Sequence, residues 1–237
     1  MKSIIFDTST IISIATNNLL WITERLKNQF KGEFIIPKSV EAELVDNPLK
    51  TKKFKLAAII IKDYIDEGVF KLYSSPAIRQ TAQKILTLAN TIFIKNNNTI
   101  KIISIGEAEA LALAVHLKSD ALAIDERTLR LLVEDPDKLH NILERKMHTK
   151  IIINKENLNE FKALAGNIKI LRSTELLTIT YDLGLLDKYI SAKKVMHKHL
   201  RKPLLEGALW GLKLRGASIS EQEINEILNA RFGWSKR

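Results

Sequence analysis

The chain has 237 residues, 46% of them hydrophobic, carries a formal net charge of +10 and contains no cysteine. That length and apolar fraction support one large domain, or a medium domain with an extension, around a sizeable core. Disulfides and thiolate metal sites are excluded, and the longest unbroken apolar run, "LAAIII", is far too short to span a bilayer.

In chain order, "KSIIF" is a short apolar run before a polar turn, the pattern of a buried parallel strand. It ends on Asp7, with Thr8, Ser9 and Thr10 directly behind. An acid there does not suit a secretion signal, so a cytoplasmic location is expected. "EFIIP" reads as a second strand, stopped by Pro37, with a helix after it in "SVEAELV". A longer helix runs through "KLAAIIIKDYIDEG" and is closed by Gly68. "VFKLY" is a third strand, "TAQKILTLANTIFIK" a helix and "NNN" at 96–98 a loop. "IGEAEALALAVHLKS", rich in Ala and Leu, is a strong helix. "DALAID" gives a fourth strand, again ending on an acid, Asp125. "ERTLRLLVED" is helical, with Pro136 just beyond it. "KIIIN" and "IKIL" are both strand candidates, and one of them suffices as the fifth core strand.

From residue 173 the pattern reads as helical: "STELLTITYDLGLL", "DKYISAKKVMHKHL", "PLLEGALWGLKLRG" and "SEQEINEILNARFG", punctuated by Pro203, Gly216 and Gly233. Strands alternating with helices predict an α/β fold with a parallel sheet over residues 1–171. Residues 172–237 are expected to form a helical, basic C-terminal extension, packed on the sheet or standing as a small second domain.

Ligands of parallel α/β sheets bind outside the carboxyl ends of the strands. Asp7 and Asp125 are expected at such ends. A buried carboxylate there is costly unless a metal ion, an Arg or a helix N-terminus pairs with it. Glu43 and Glu109 lie near the starts of helices. Four carboxylates from separate segments, without His or Cys, suit a hard cation such as Mg²⁺ or Mn²⁺. Ser104 and Glu107 form a capping-box pattern before the Ala/Leu-rich run. Glu107 and Glu109 are about 200° apart on a helix, so both can hardly reach one ion. The expectation is Glu109 as ligand and Glu107 as cap. His116, seven residues after Glu109, is expected in the core or in support of the site. His197 and His199 are expected on a basic helix, at the surface or against phosphate, and Trp210 and Trp234 as packing residues.

"IIFDTSTII", "IPKSVEAEL", "GEAEALALA" and "DALAIDERTLR", in that order, resemble the PIN-domain family, a metal-dependent nuclease fold. "LRSTELLTITYDLGLLD" and "KPLLEGALWGLKLRGASIS" are similar to the helical tail of one branch of it. The resemblance implies a three-layer α/β/α fold with the acids gathered at one end of a central parallel sheet. It implies acidic roles for Asp7, Glu43, Glu109 and Asp125, with a supporting hydroxyl from Thr8 or Ser9. Segment 131–167 has no clear counterpart in compact members.

The leading expectation is a divalent-metal-dependent ribonuclease that hydrolyses phosphodiesters with a metal-activated water. The alternative is a non-catalytic nucleic-acid-binding or scaffold protein with a PIN-like core. An aspartyl phosphatase is a third reading, but Ser9 stands where its second Asp would be. No Gly-rich phosphate loop comes after a strand, which speaks against a dinucleotide-binding enzyme. The expected partner is nucleic acid, RNA above all, with no membrane; a homo-oligomer or a protein partner stays open. An acidic site repels a polyanion and needs positive charge nearby. Lys188, Lys193, Lys194, Lys198, Arg201 and Lys202 form an acid-free basic run and are the expected nucleic-acid-binding residues.

Overall fold

The computed structural model describes residues 2–192 and 195–233. The chain opens with β1 (Ser3–Phe6), α1 (Thr8–Thr16), α2 (Trp21–Phe30) and β2 (Glu33–Pro37). A short helix α3 (Lys38–Glu41) continues into a π-helical turn over Ala42–Asp46 and α4 (Asn47–Leu49), then α5 (Lys55–Asp66), β3 (Phe70–Tyr73) and α6 (Pro76–Ile92). Next come β4 (Phe93–Lys95), β5 (Asn98–Thr99), α7 (Ile105–His116), β6 (Ala121–Ala123), α8 (Arg127–Glu134) and α9 (Pro136–Met147). The remainder holds β7 (Ile152–Ile153), α10 (Lys155–Ala165), β8 (Ile170–Leu171), α11 (Ser173–Asp182), β9 (Ser191–Ala192), β10 (Val195–Met196), α12 (Arg201–Leu214) and α13 (Glu221–Phe232).

Strands β3-β2-β1-β6-β8, in that order, form one sheet, and every neighbouring pair in it is parallel. Alternation along the central strands divides the core in two. Ile4, Phe6, Phe34 and Ile36 face one cluster with α1, α2, α11, α12 and α13. Ile5, Ile35, Leu122 and Ile124 face the other, with α6 through α10. The result is the expected three-layer α/β/α arrangement. Leu176, Leu177, Leu205, Leu209 and Leu212 are buried in the same cluster as Phe6 and Phe34, so the C-terminal helices cover one face of the sheet.

Of the two candidates for the fifth strand, residues 170–171 enter the parallel sheet, whereas residues 152–153 pair with β4 in a small antiparallel sheet. Three expectations change. "FIK" at 93–95 leaves the helix and becomes β4, because its Phe93 and Ile94 pair with Ile153 and Ile152 and tertiary pairing outweighs local helical propensity. The asparagine loop is a tight hairpin: Asn96 and Asn97 take φ of 48° and 63°, the pair of positive values a two-residue reverse turn requires. The described residues of the stretch "DKYISAKKVMHKHL" do not form the expected helix. Gly184, at φ 70°, turns the chain after α11 into a 3₁₀ turn over Leu185–Tyr189. The β9–β10 hairpin and a second 3₁₀ turn over Lys198–Leu200 then lead into α12. Lys193, Lys194 and Trp234 lie outside the described residues. Among the described residues no helix is long and apolar enough to cross a membrane.

Candidate metal and nuclease site

Strand register brings the first acids together. Phe6 pairs with Ala123 and the Asp7 N–H donates to the Ala123 carbonyl (2.9 Å), so Asp7 and Asp125 leave adjacent strands at the same carboxyl edge. Ala123 pairs in turn with Leu171, which brings Ser173, at the head of α11, to that edge.

Asp7 is 3% exposed and is the N-cap of α1. One carboxylate oxygen, Oδ2, accepts from the Ser9 N–H (3.0 Å) and the Ser9 hydroxyl (2.6 Å). The Ser9 hydroxyl oxygen also accepts from the N–H groups of Asp125 (3.0 Å) and Glu126 (3.2 Å). Ser9 therefore ties the two strand ends together. Burial pushes the Asp7 carboxyl above its usual range; the Ser9 bonds oppose this, and the negative charge of Glu43 adds to it.

Glu43 comes from the π-helical turn after β2, an irregularity frequent at functional sites. The Thr8 hydroxyl donates to its Oε2 at 2.7 Å. The other oxygen, Oε1, rests against Gly106 at the start of α7, where a Cβ would lie 2.6 Å from it. Only glycine allows that approach without moving the carboxylate.

On α7 the capping box is formed: Ser104 Oγ accepts from the Glu107 N–H (3.3 Å) and the Glu107 carboxylate accepts from the Ser104 N–H. Glu107 also belongs to the acidic neighbourhood. Burial pushes its carboxyl up to about 7, against the hydrogen bonds from Ser104, and the charges of Glu126 and Asp7 push the same way. Capping the helix and feeling the charge of Asp7 are thus compatible. Glu109 is half-buried two residues further along α7. His116, at the end of that helix, is exposed and so not in the core.

Asp125 is 3% exposed, and both its oxygens are engaged by α11: Oδ1 accepts from the Ser173 N–H and Oδ2 from the Ser173 hydroxyl, each at 2.6 Å. Glu126, which sequence reasoning missed, caps α8 by accepting from the Leu129 N–H (2.8 Å). Its adjacency to Asp125 was the available signal. Ser173 had none, because it meets Asp125 only through strand pairing across 48 residues.

The donor set suits a hard divalent cation. It offers carboxylate and hydroxyl oxygens only, and Asp7 and Glu43 repel one another with no Lys or Arg in a salt bridge to either among the described residues. As placed, no three His, Cys, Asp or Glu side chains among the described residues are drawn tightly around one point.

Of the basic run, Arg201 and Lys202 lie away from this edge. The C-terminal end of α12 is the end that reaches the site: Gly211 sits against Asn17, just beyond α1, and Arg215, Gly216 and Ser218 line one pocket with Ser9 and Ser13 of α1. Arg201 and Lys202 are at the opposite end of α12, about 20 Å from its last turn at 1.5 Å per residue. Lys188 lies over the Trp21 ring, 3.2 Å from its centroid, and Arg201 bonds Tyr181 Oη (3.2 Å) and Asp187 (3.5 Å). His197 and His199 are exposed, with ring centroids 5.8 Å apart.

A family model described as a PIN domain matches residues 3–135. The chain belongs to the PIN-domain family. PIN domains are generally nucleases that use divalent metals, so nucleic acid is the general class of partner. The match contains Asp7, Glu43, Glu107, Glu109 and Asp125; Ser173 and the α12–α13 turn lie beyond it. No curated protein matches the chain.

Proposed function

We propose that this PIN domain is a divalent-metal-dependent ribonuclease acting at the carboxyl edge of the sheet. The observation that carries the reading is the pairing of buried Asp7 with half-buried Glu43, like charges that feel one another with no Lys or Arg salt-bridged to either among the described residues. A chain that only binds has no use for that expense. Asp7, Glu43, Asp125 and a glutamate of α7 would hold Mg²⁺ or Mn²⁺. Glu107, which feels the charge of Asp7, is the α7 glutamate proposed for that place. When bound, the cation supplies a nucleophilic water at neutral pH and charge neutralisation at the scissile phosphate.

The chain's own residues orient the donors. Ser9 fixes one Asp7 oxygen, and Thr8 fixes one Glu43 oxygen. Gly106 leaves room for the other Glu43 oxygen. A cytoplasmic site of action belongs to the same reading and agrees with a cysteine-free sequence.

One observation favours the non-catalytic alternative. Asp125 is fully engaged in holding α11, as a structural carboxylate would be. The two readings part on incubation of pure protein with labelled single-stranded RNA and Mn²⁺, beside Asp7→Asn. Cleavage that stops with EDTA and leaves 5′-phosphate and 3′-hydroxyl ends supports the nuclease. Products ending in 2′,3′-cyclic phosphate would mean attack by the ribose hydroxyl and refute it. RNA binding without cleavage supports the scaffold reading.

A further inference from the structure

Beside the acidic edge lies a pocket of about 390 Å³ bordered by Ser9, Asp125, Glu126, Arg127, Arg215 and Ser218. Arg127 and Ser218 also line a second, larger cavity of about 670 Å³. The two spaces are therefore neighbours along one cleft. One wall is the α8–α9 segment, which contributes Arg127, Arg130 and Lys138; the other is the α12–α13 turn with Lys213. Gly216, at φ 113°, makes that turn, a backbone conformation side-chain-bearing residues rarely adopt.

The carboxylates of the larger cavity are Glu223 and Glu226, and those of the smaller pocket are Asp125 and Glu126, which already accept from Ser173 and from the Leu129 N–H. Glu223 is already matched, accepting from Arg172 Nη1 at 2.8 Å and from the Ser220 N–H and hydroxyl at 2.8 and 2.7 Å. Glu226 accepts from Gln222 at 2.9 Å. On the cationic side, Arg130 has only a long 3.4 Å contact with Glu134, and its Nε is buried without a hydrogen-bond partner among the described residues. Lys213 is braced by the Trp210 ring, 4.5 Å from its centroid, an arrangement that keeps its charge available.

We propose that this cleft is the binding track for a single-stranded nucleic acid, with Arg127, Arg130, Lys138, Lys213 and Arg215 holding the phosphates that flank the reacting one. The proposal rests on the nuclease reading for the identity of the polyanion. It replaces the run at 188–202 as the first contact, because Arg127 and Arg215 border the acidic edge and Arg130, Lys138 and Lys213 line the adjoining cavity, while Arg201 and Lys202 lie at the far end of α12. Neither wall makes the cleft alone. The family match supplies α8 and ends at residue 135, so the C-terminal helices complete a site that the PIN portion begins. A cavity of this size suits an unpaired strand rather than a duplex.

The test measures binding of a short fluorescein-labelled single-stranded RNA in EDTA, across a salt series. Arg130→Gln with Lys138→Gln is compared with Lys198→Gln with Lys202→Gln. The cleft variant should lose about tenfold or more in affinity, and its log–log salt slope should fall by about 1.4, two contacts at about 0.7 each for a single strand. The tail variant should change less. Arg130→Lys with Lys138→Arg keeps the charges and should bind like wild type; if it binds as poorly as the Gln pair, the electrostatic account is wrong. Wild-type binding by the Gln pair also overturns the proposal, as does a loss confined to the tail variant. Cleavage by wild type with Mn²⁺ is scored separately. Cleft-dependent binding without cleavage retires the nuclease reading and leaves the track standing.

Discussion

Asp7 caps α1 and at the same time holds a buried charge next to Glu43. The cap needs only an acceptor oxygen, which Asn also supplies. Its charge raises the free energy of the folded state, since burial and Glu43 both disfavour it. Asp7→Asn should therefore abolish metal-dependent cleavage, by about a hundredfold or more, while leaving the melting temperature equal to or above wild type at neutral pH. Thermal melts beside the cleavage assay check this; a large drop in stability would show that the carboxylate is structural. The α7 pair gives a second test at this scale. Gln also completes the capping box, so Glu107→Gln and Glu109→Gln should both fold. Only Glu107→Gln should lose cleavage, because Glu107 lies close enough to Asp7 to feel its charge. The opposite pattern would return the ligand role to Glu109.

Helix α7 and the π-helical turn behave as a matched pair of elements. Gly106 weakens the first turn of α7 by about 1 kcal/mol relative to Ala, yet it lets Glu43 lie against the helix backbone. Gly106→Ala adds a methyl 2.6 Å from Glu43 Oε1. The end of a glutamate can swing away, so the cost in stability is small, and the gain in helix propensity offsets part of it. The carboxylate, however, leaves its place. We expect a melting temperature within a few degrees of wild type and cleavage down about tenfold or more. Full activity in Gly106→Ala would show that Glu43 is not needed in this position.

The whole molecule is joined by Arg172, which sits between β8 and α11 and reaches Glu175 and, on α13, Glu223. Burial raises the Glu223 carboxyl, but the Ser220 N–H and the Arg172 guanidinium outweigh it and hold the group down at about 2, against an ordinary 4.5. A depressed carboxylate stabilises the fold fully above the unfolded value and loses that contribution as pH falls from about 4.5 through about 2. Glu223 is partly exposed, so solvent screening keeps the size modest. Glu223→Gln should be less stable than wild type at pH 7, and the difference should shrink as pH falls through that window. Urea midpoints at several pH values measure it; a constant gap would mean that the pair contributes nothing through its charge.

Several features were legible in the sequence because they depend on near neighbours. Apolar runs alternating with helical periodicity are local, and they determined the parallel sheet and its helical layers. Capping is an i to i+3 contact, so the Ser104–Glu107 box could be read directly. Asp7 and Asp125 could be placed at strand ends because each closes an apolar run. Tertiary structure decided the rest. Which of residues 152–153 and 170–171 joined the central sheet depended on pairing with distant strands. The partner of Asp125 was Ser173, 48 residues away, set by the register of β6 and β8. Net charge signalled a polyanion, and sequence clustering pointed to 188–202. The cations of the proposed cleft come from α8, α9 and the α12–α13 turn. Each is unremarkable in its own segment. Packing of the C-terminal helices on the sheet places them together, because burying Leu205, Leu209 and Leu212 fixes where α12 ends.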